Sequence, residues 1–122
     1  MVTNERYNGS AILSRKEKRM ASKELLDGLN KALAMDLRAT IQYMWQYVIA
    51  RGVEREKVGE VFKDIAMEEM KHAESFAERI HYLGGTPATI PMEIKTGENI
   101  KEMLEVDLAS ENESIEACKE II

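Results

Sequence analysis

A chain of 122 residues, 44% hydrophobic and 32% charged, has the size and balance of one soluble domain with one core. A formal net charge of −5 argues against a general nucleic-acid binder and suits a protein that attracts cations. The single cysteine, Cys118, excludes a disulfide framework and a thiolate zinc site; with no apolar run long enough for a membrane span and no secretory leader pattern, a reducing cytoplasm is the expected setting.

Pro87 and Pro91 are the only prolines, and most charged residues favour helices, so an all-α chain is expected. Residues 1–20 are polar, lack a sustained apolar stripe and include the cluster Arg15-Lys16-Glu17-Lys18-Arg19. They read as a solvated N-terminal arm ahead of a helical domain at 21–122. Contact of this arm with DNA or a neighbouring subunit is the sharper alternative, and the acidic body argues against the DNA version.

The first helix is expected to start near Ser22, a good N-cap, and to stop at about Ala50 before Gly52. Leu25, Leu26, Leu29, Leu33, Leu37, Ile41, Met44 and Val48 recur at helical spacing. Continuing from Leu29 and Leu33 by that spacing lands on Asp36, then Thr40, Tyr43 and Tyr47. Asp36 therefore interrupts the core face.

The second helix is expected from about Val53–Glu56 to Leu83, before Gly84-Gly85. Its stripe reads Val58, Phe62, Ile65, Glu69, His72, Phe76, Ile80 and Leu83, with two polar residues at consecutive core positions. The segment 84–97 holds two glycines and two prolines before Gly97 and looks extended. At roughly 3.3–3.6 Å per stretched residue it can run the length of a helix that rises about 1.5 Å per residue. Such a crossover makes the second and third helices parallel. The third helix, from near Glu98, has the stripe Ile100, Leu104, Leu108, Glu111, Ile115, Cys118 and Ile122, with Glu111 in the seam. The chain stops mid-pattern, as expected of a helix cut short.

Buried carboxylates are costly unless something positive pairs with them. Asp36, Glu69 and Glu111 fall on three stripes that carry no Lys or Arg, and His72 joins Glu69 as Glu-x-x-His. Residues i and i+3 share a helix face, so the pair can offer one bridging carboxylate and one imidazole to adjacent metals. Iron, manganese and zinc all accept such ligands. Tyr43, on the Asp36 face, is placed to pack in the core or to hydrogen-bond a ligand carboxylate. Met70 points off the seam, where a packing or interface methionine is the simpler reading. His81 should face away from the site, Cys118 should be a small buried residue, and Glu68 and Glu74 should be solvated.

The run Glu69-Met70-Lys71-His72-Ala73-Glu74, followed by Glu78-Arg79-Ile80 and Gly84-Gly85-x-Pro87, resembles the second helix and turn of bacterioferritins. Leu29 to Asp36 with Gln42-Tyr43 resembles their first helix, and Asp107-Leu108-Ala109-x-Glu111 their third. The resemblance covers about residues 25–122. It implies a ferritin-like four-helix bundle, a di-iron centre that oxidises Fe(II) to Fe(III) with O₂ or H₂O₂, and iron storage in a homo-oligomeric cage. It makes Asp36, Glu69, His72 and Glu111 metal ligands, with Glu69 bridging. Met70 stands where bacterioferritins place the axial methionine of a haem shared across a dimer.

Three departures stand out. Asp36 occupies a position where the family usually has Glu, about 1.3–1.5 Å longer in reach. The N-terminal arm is longer than the family's usual start. The fourth helix, with its second Glu-x-x-His, is missing from the sequence, so its ligands would come from a further C-terminal helix or from a second subunit. Two other readings compete with a ferroxidase: a rubrerythrin-like peroxide reductase, and a non-catalytic helical assembly module with a structural metal site.

Overall fold

The structure, a computed structural model, describes residues 14–50 and 55–121. It is all-helical, as expected: α1 spans Arg15–Ile49, a π-helical turn spans Arg55–Gly59, α2 spans Glu60–Tyr82, and α3 spans Ile100–Ile121. No described helix is long and apolar enough to cross a membrane.

Helix α1 starts earlier than Ser22 because Ser14 and Glu17 form a reciprocal cap. Glu17 N donates to Ser14 Oγ at 3.0 Å, and Ser14 N donates to Glu17 Oε1 at 3.1 Å. Two otherwise orphaned N–H groups are satisfied, and the good helix formers behind them extend a solvent-facing turn that needs no core. Helix α1 thus runs across position 20; residues 1–13, the rest of the expected arm, lie outside the described residues, as does Gly52.

Helix α2 ends as Gly84-Gly85 suggests. Gly85 N donates to Ile80 O at 2.9 Å and Gly84 N to His81 O at 3.0 Å, the paired bonds of a Schellman cap. Gly84 takes φ 88°, a left-handed conformation that a side chain strains. The following segment is then pinned along α1 in order. Asn30 Nδ2 donates to Thr86 O, Asn30 Oδ1 accepts from Ala88 N, Ala34 O from Met92 N, and Gln42 Oε1 from Lys95 N. The connection therefore travels the length of the bundle. It closes at Gly97, where a Cβ would lie 2.6 Å from Met103 N, and Asn99 Oδ1 caps α3 by accepting from Glu102 N.

Both α2 and α3 run antiparallel to α1 and hence parallel to each other. Tyr43 meets Phe62 while Leu29 and Leu33 meet Ala73 and Ile80. Along α3, Gln46 meets Asp107, Arg38 meets Glu113 and Lys31 meets Glu120. Both α2 and α3 pack their backbones closely on α1 rather than on each other.

The core falls into two apolar clusters. One holds Ala39, Tyr43, Phe62, Ala66 and Met103; the other holds Leu29, Leu33, Ala73 and Ile80. The break between them, at Leu33 to Ala39 on α1 and Ala66 to Ala73 on α2, is where Asp36 and Glu69 sit.

The α3 face differs from the expected stripe. Met103, Asp107 and Ala117 are buried, while Leu104, Leu108 and Ile115 are 51%, 64% and 52% exposed. Cys118 is exposed too, correcting the expectation of a buried small residue. The helix is turned by about one residue because polar pairs hold it: Asp107 accepts from Gln42 and Gln46, and Arg38 pairs with Glu113. Hydrogen bonding of buried polar groups outweighs burial of three leucine-sized side chains when no apolar surface faces them.

Candidate metal centre

Asp36 on α1 and Glu69 with His72 on α2 each place a ligand atom within 4.8 Å of the others. His72 Nδ1 lies 3.6 Å from Glu69 Oε1, as the i, i+3 spacing on one face requires. Asp36 and Glu69 are half-buried, and His72 opens to solvent. Asp36 Oδ2 is buried and has no hydrogen-bond partner. Thr40 Oγ1 bonds the Asp36 carbonyl at 2.8 Å, fixing the backbone rather than the carboxylate.

The electrostatics match this crowding. Burial pushes the Glu69 carboxyl up to about 6, and the neighbouring Asp36 pushes in the same direction. Burial also raises Asp36, against the opposing effects of a hydrogen bond with Glu69 and the charge of His72. Glu111 on α3 is raised by burial first, then by Glu69 and Asp107. Its charge is felt at Asp36, although its oxygens do not join the 4.8 Å cluster. Burial above all thus holds the three acidic groups towards the neutral form, the condition a bound cation reverses.

The donor set of two carboxylates and an imidazole, with one buried oxygen unpaired, fits a hard or borderline divalent cation. Tyr43 is buried and hydrogen-bonds the Glu111 carboxylate; burial raises its hydroxyl well above the ordinary tyrosine value. Met70, 47% exposed, lies on α2 outside the cluster. Glu68, Glu74 and His81 are exposed, as the helical wheel predicts.

Sequence reasoning missed Asp107 and Arg38. Asp107 is buried, accepts from Gln42 Nε2 at 3.0 Å and from Gln46 Nε2 at 2.8 Å, and is raised mainly by burial. A signal was present: Gln42 and Gln46 stand one turn apart on α1, so a matching acceptor on a neighbouring helix was to be expected. Arg38 is buried with Glu113 as its ion-pair partner; no seam position marked it.

Comparison with known proteins agrees with this fold. Residues 26–122 match the profile of the ferritin-like domain. A bacterioferritin of Desulfovibrio desulfuricans is 38% identical over 100 residues, covering 81% of this chain and 56% of the relative. The chain therefore spans a little over half the length of that relative. A ferritin-like, diiron-carboxylate protein of Bacillus anthracis superposes with a TM-score of 0.79 at 36% identity, over 89% of this chain and 75% of the other. A Rhodobacter capsulatus bacterioferritin, solved with a metal-free dinuclear site and a haem iron, gives a TM-score of 0.74 at 28% identity, over 81% and 62%. Three long helices with a long crossover, a carboxylate and histidine cluster at the break in the core, and these similarities together place the chain in the ferritin-like domain family.

Proposed function

We propose that this chain binds Fe(II) at Asp36, Glu69, His72 and Glu111 and promotes its oxidation to Fe(III), as part of a ferroxidase and iron-storage protein. The observation that carries this reading is the convergence of Asp36, Glu69 and His72 ligand atoms within 4.8 Å at the break between two apolar clusters. Each Fe(II) gives up one electron, and O₂ or H₂O₂ takes up electrons and protons.

A di-iron centre, when bound, supplies the redox chemistry. The chain's own residues do the rest. Asp36 and Glu69 would hold the cation through carboxylate oxygens, and Glu69 lies between Asp36 and His72, with both of which it would share a cation. The His72 imidazole, open to solvent, is the terminal nitrogen ligand. Glu111, oriented by the Tyr43 hydroxyl, is the carboxylate from the third helix. Remaining ligands of a two-metal site come from a further helix or from a second subunit of a homo-oligomer. The exposed Met70 is available to a haem shared between copies. A cytoplasmic setting fits the single cysteine.

Anaerobic addition of Fe(II) followed by O₂, monitored by absorbance, tests this. Oxidation faster than in buffer, lost in a Glu69→Ala/His72→Ala variant, is expected. Normal oxidation by that variant would sink the site assignment. Metal-dependent melting without turnover would support the structural-site reading instead.

A further inference from the structure

The first turns of α1 carry charge of the wrong sign for their place. Arg15, Lys16 and Arg19 stand in its first two turns, and Lys23 one turn on. The N-terminus is the positive end of the helix dipole, so cations there are disfavoured. Residues 14–25 nevertheless hold five basic residues against two acidic ones, in a chain whose net charge is −5. Every side chain described in this stretch is exposed, up to Leu26, which packs on Gly85. At about 1.5 Å per residue, about 18 Å of basic helix stands clear of the core. Arg15, Lys16 and Arg19 make no ion pair among the described residues, and Lys23 pairs with Asp27 on the same helix. A cavity of about 500 Å³ between this stretch and the turn after α2 is lined by Arg19, Lys23, Leu26 and Gly85 among others.

A matching surface lies on α3. Glu102, Glu105, Glu113, Glu116 and Glu120 are exposed, and with Ala109 they recur every three or four residues, so they form one stripe along the helix. Glu105 has no partner among the described residues, and Glu116 pairs with Lys119 on the same helix. Glu113 and Glu120 meet Arg38 and Lys31 yet keep half or more of their side-chain surface in solvent. The two stripes do not meet within one copy. Helix α3 is antiparallel to α1 and its last turn faces Lys31, so its stripe lies along the other end of α1.

We propose that the basic N-terminal stretch of α1 docks on the acidic α3 stripe of a second copy of this chain. Like spacing on two helices lets Lys16, Arg19 and Lys23 face glutamates turn by turn, and an array of such pairs outweighs the small worth of one exposed ion pair. Residues 1–13, with one acidic and one basic residue, supply no such charge. A free polyanion finds the basic stretch but is repelled by the acidic remainder of the chain. The contact joins different surfaces of the two copies, so it passes from copy to copy until a ring closes. It needs no metal and stands apart from the iron chemistry.

Sedimentation velocity of the metal-free chain at low and high salt tests the contact by charge exchange. Self-association that weakens as salt rises is expected. Lys16→Glu/Arg19→Glu puts like charges opposite each other and should weaken association by about tenfold or more. That variant also suits the helix dipole, so its helix content and melting temperature should hold or rise. Glu105→Lys/Glu116→Lys should weaken association similarly. The chain carrying all four changes, or an equal mixture of the two variants, should associate again. A monomer at low salt, association indifferent to either reversal, or no recovery on charge exchange overturns the proposal. Binding of a random-sequence DNA duplex that Lys16→Glu/Arg19→Glu abolishes, with self-association unchanged, also overturns it and assigns the basic stretch to nucleic acid.

Discussion

Asp36 and Glu69 face each other from α1 and α2 at the one level where the core changes from one apolar cluster to the next; burial makes both harder to ionise, and Asp36 adds to the effect at Glu69. Two carboxylates here are a cost to the metal-free fold. That cost becomes a gain when a cation enters, which links folding, pH and metal binding in one pair of side chains.

Without metal, the pair gives stability a definite pH sign. Glu69 has an ordinary value of 4.5 and a folded value of about 6. A carboxyl raised on folding contributes stability below its unfolded value and loses it as pH rises through the folded one. The metal-free chain should therefore melt at a higher temperature near pH 5 than near pH 7, so far as these groups decide. Glu69→Gln should raise the melting temperature at pH 7 and flatten this part of the profile. Scanning calorimetry at several pH values checks both, and an unchanged profile in the variant would remove Glu69 from the linkage.

Saturating Fe(II) should reverse the slope. Protons then compete with the cation, so affinity should fall as pH drops through about 6, the Glu69 value. Anaerobic Fe(II) titrations at pH 5.5 and 7 measure this directly; equal affinity at both would contradict a carboxylate site.

The Asp107 network separates charge from hydrogen bonding. Asp107 Oδ1 accepts from both Gln42 and Gln46, while Asp107 Oδ2 and Gln46 Oε1 are buried without partners. Asp107→Asn keeps an acceptor and removes a buried charge, so stability near neutral pH should hold or rise. Asp107→Ala strands two amides and should cost about 1–3 kcal/mol. Urea unfolding of the two variants distinguishes them, and equal losses would show that the charge itself matters.

Packing is tested at Phe62, which is 1% exposed against Tyr43 with ring centroids 6.1 Å apart. Phe62→Ala should cost about 3–5 kcal/mol. Its neighbour Val61 is 52% exposed, and Val61→Ala should stay within about 0.5 kcal/mol. Comparable losses at both positions would mean that Val61 is covered in the assembled protein.

Much of the architecture was legible because it rests on period and punctuation. The 3–4 spacing of Leu29, Leu33, Phe62 and Ile80 marks the helices, and Gly84-Gly85 with the prolines marks the crossover. Asp36, Glu69 and His72 stood out because polar residues in an apolar seam need a reason. Helix α3 was misread because Leu104, Leu108 and Ile115 are the more apolar set, whereas the face turned to α1 is chosen by Gln42, Gln46 and Arg38 pairing with Asp107 and Glu113. Such pairing depends on matched heights on two helices, which periodicity along one cannot reveal. The early start of α1 was missed for a local reason: Ser14-x-x-Glu17 is a capping box with no apolar run behind it.

The central claim is that Asp36, Glu69 and His72 hold iron. Anomalous scattering at the iron edge, from crystals loaded anaerobically with Fe(II), tests it most directly. The account predicts a peak within bonding distance of Glu69 and His72, with Asp36 and Glu111 turned towards it. A fully loaded crystal with no iron peak there, or with iron bound only elsewhere, would contradict it.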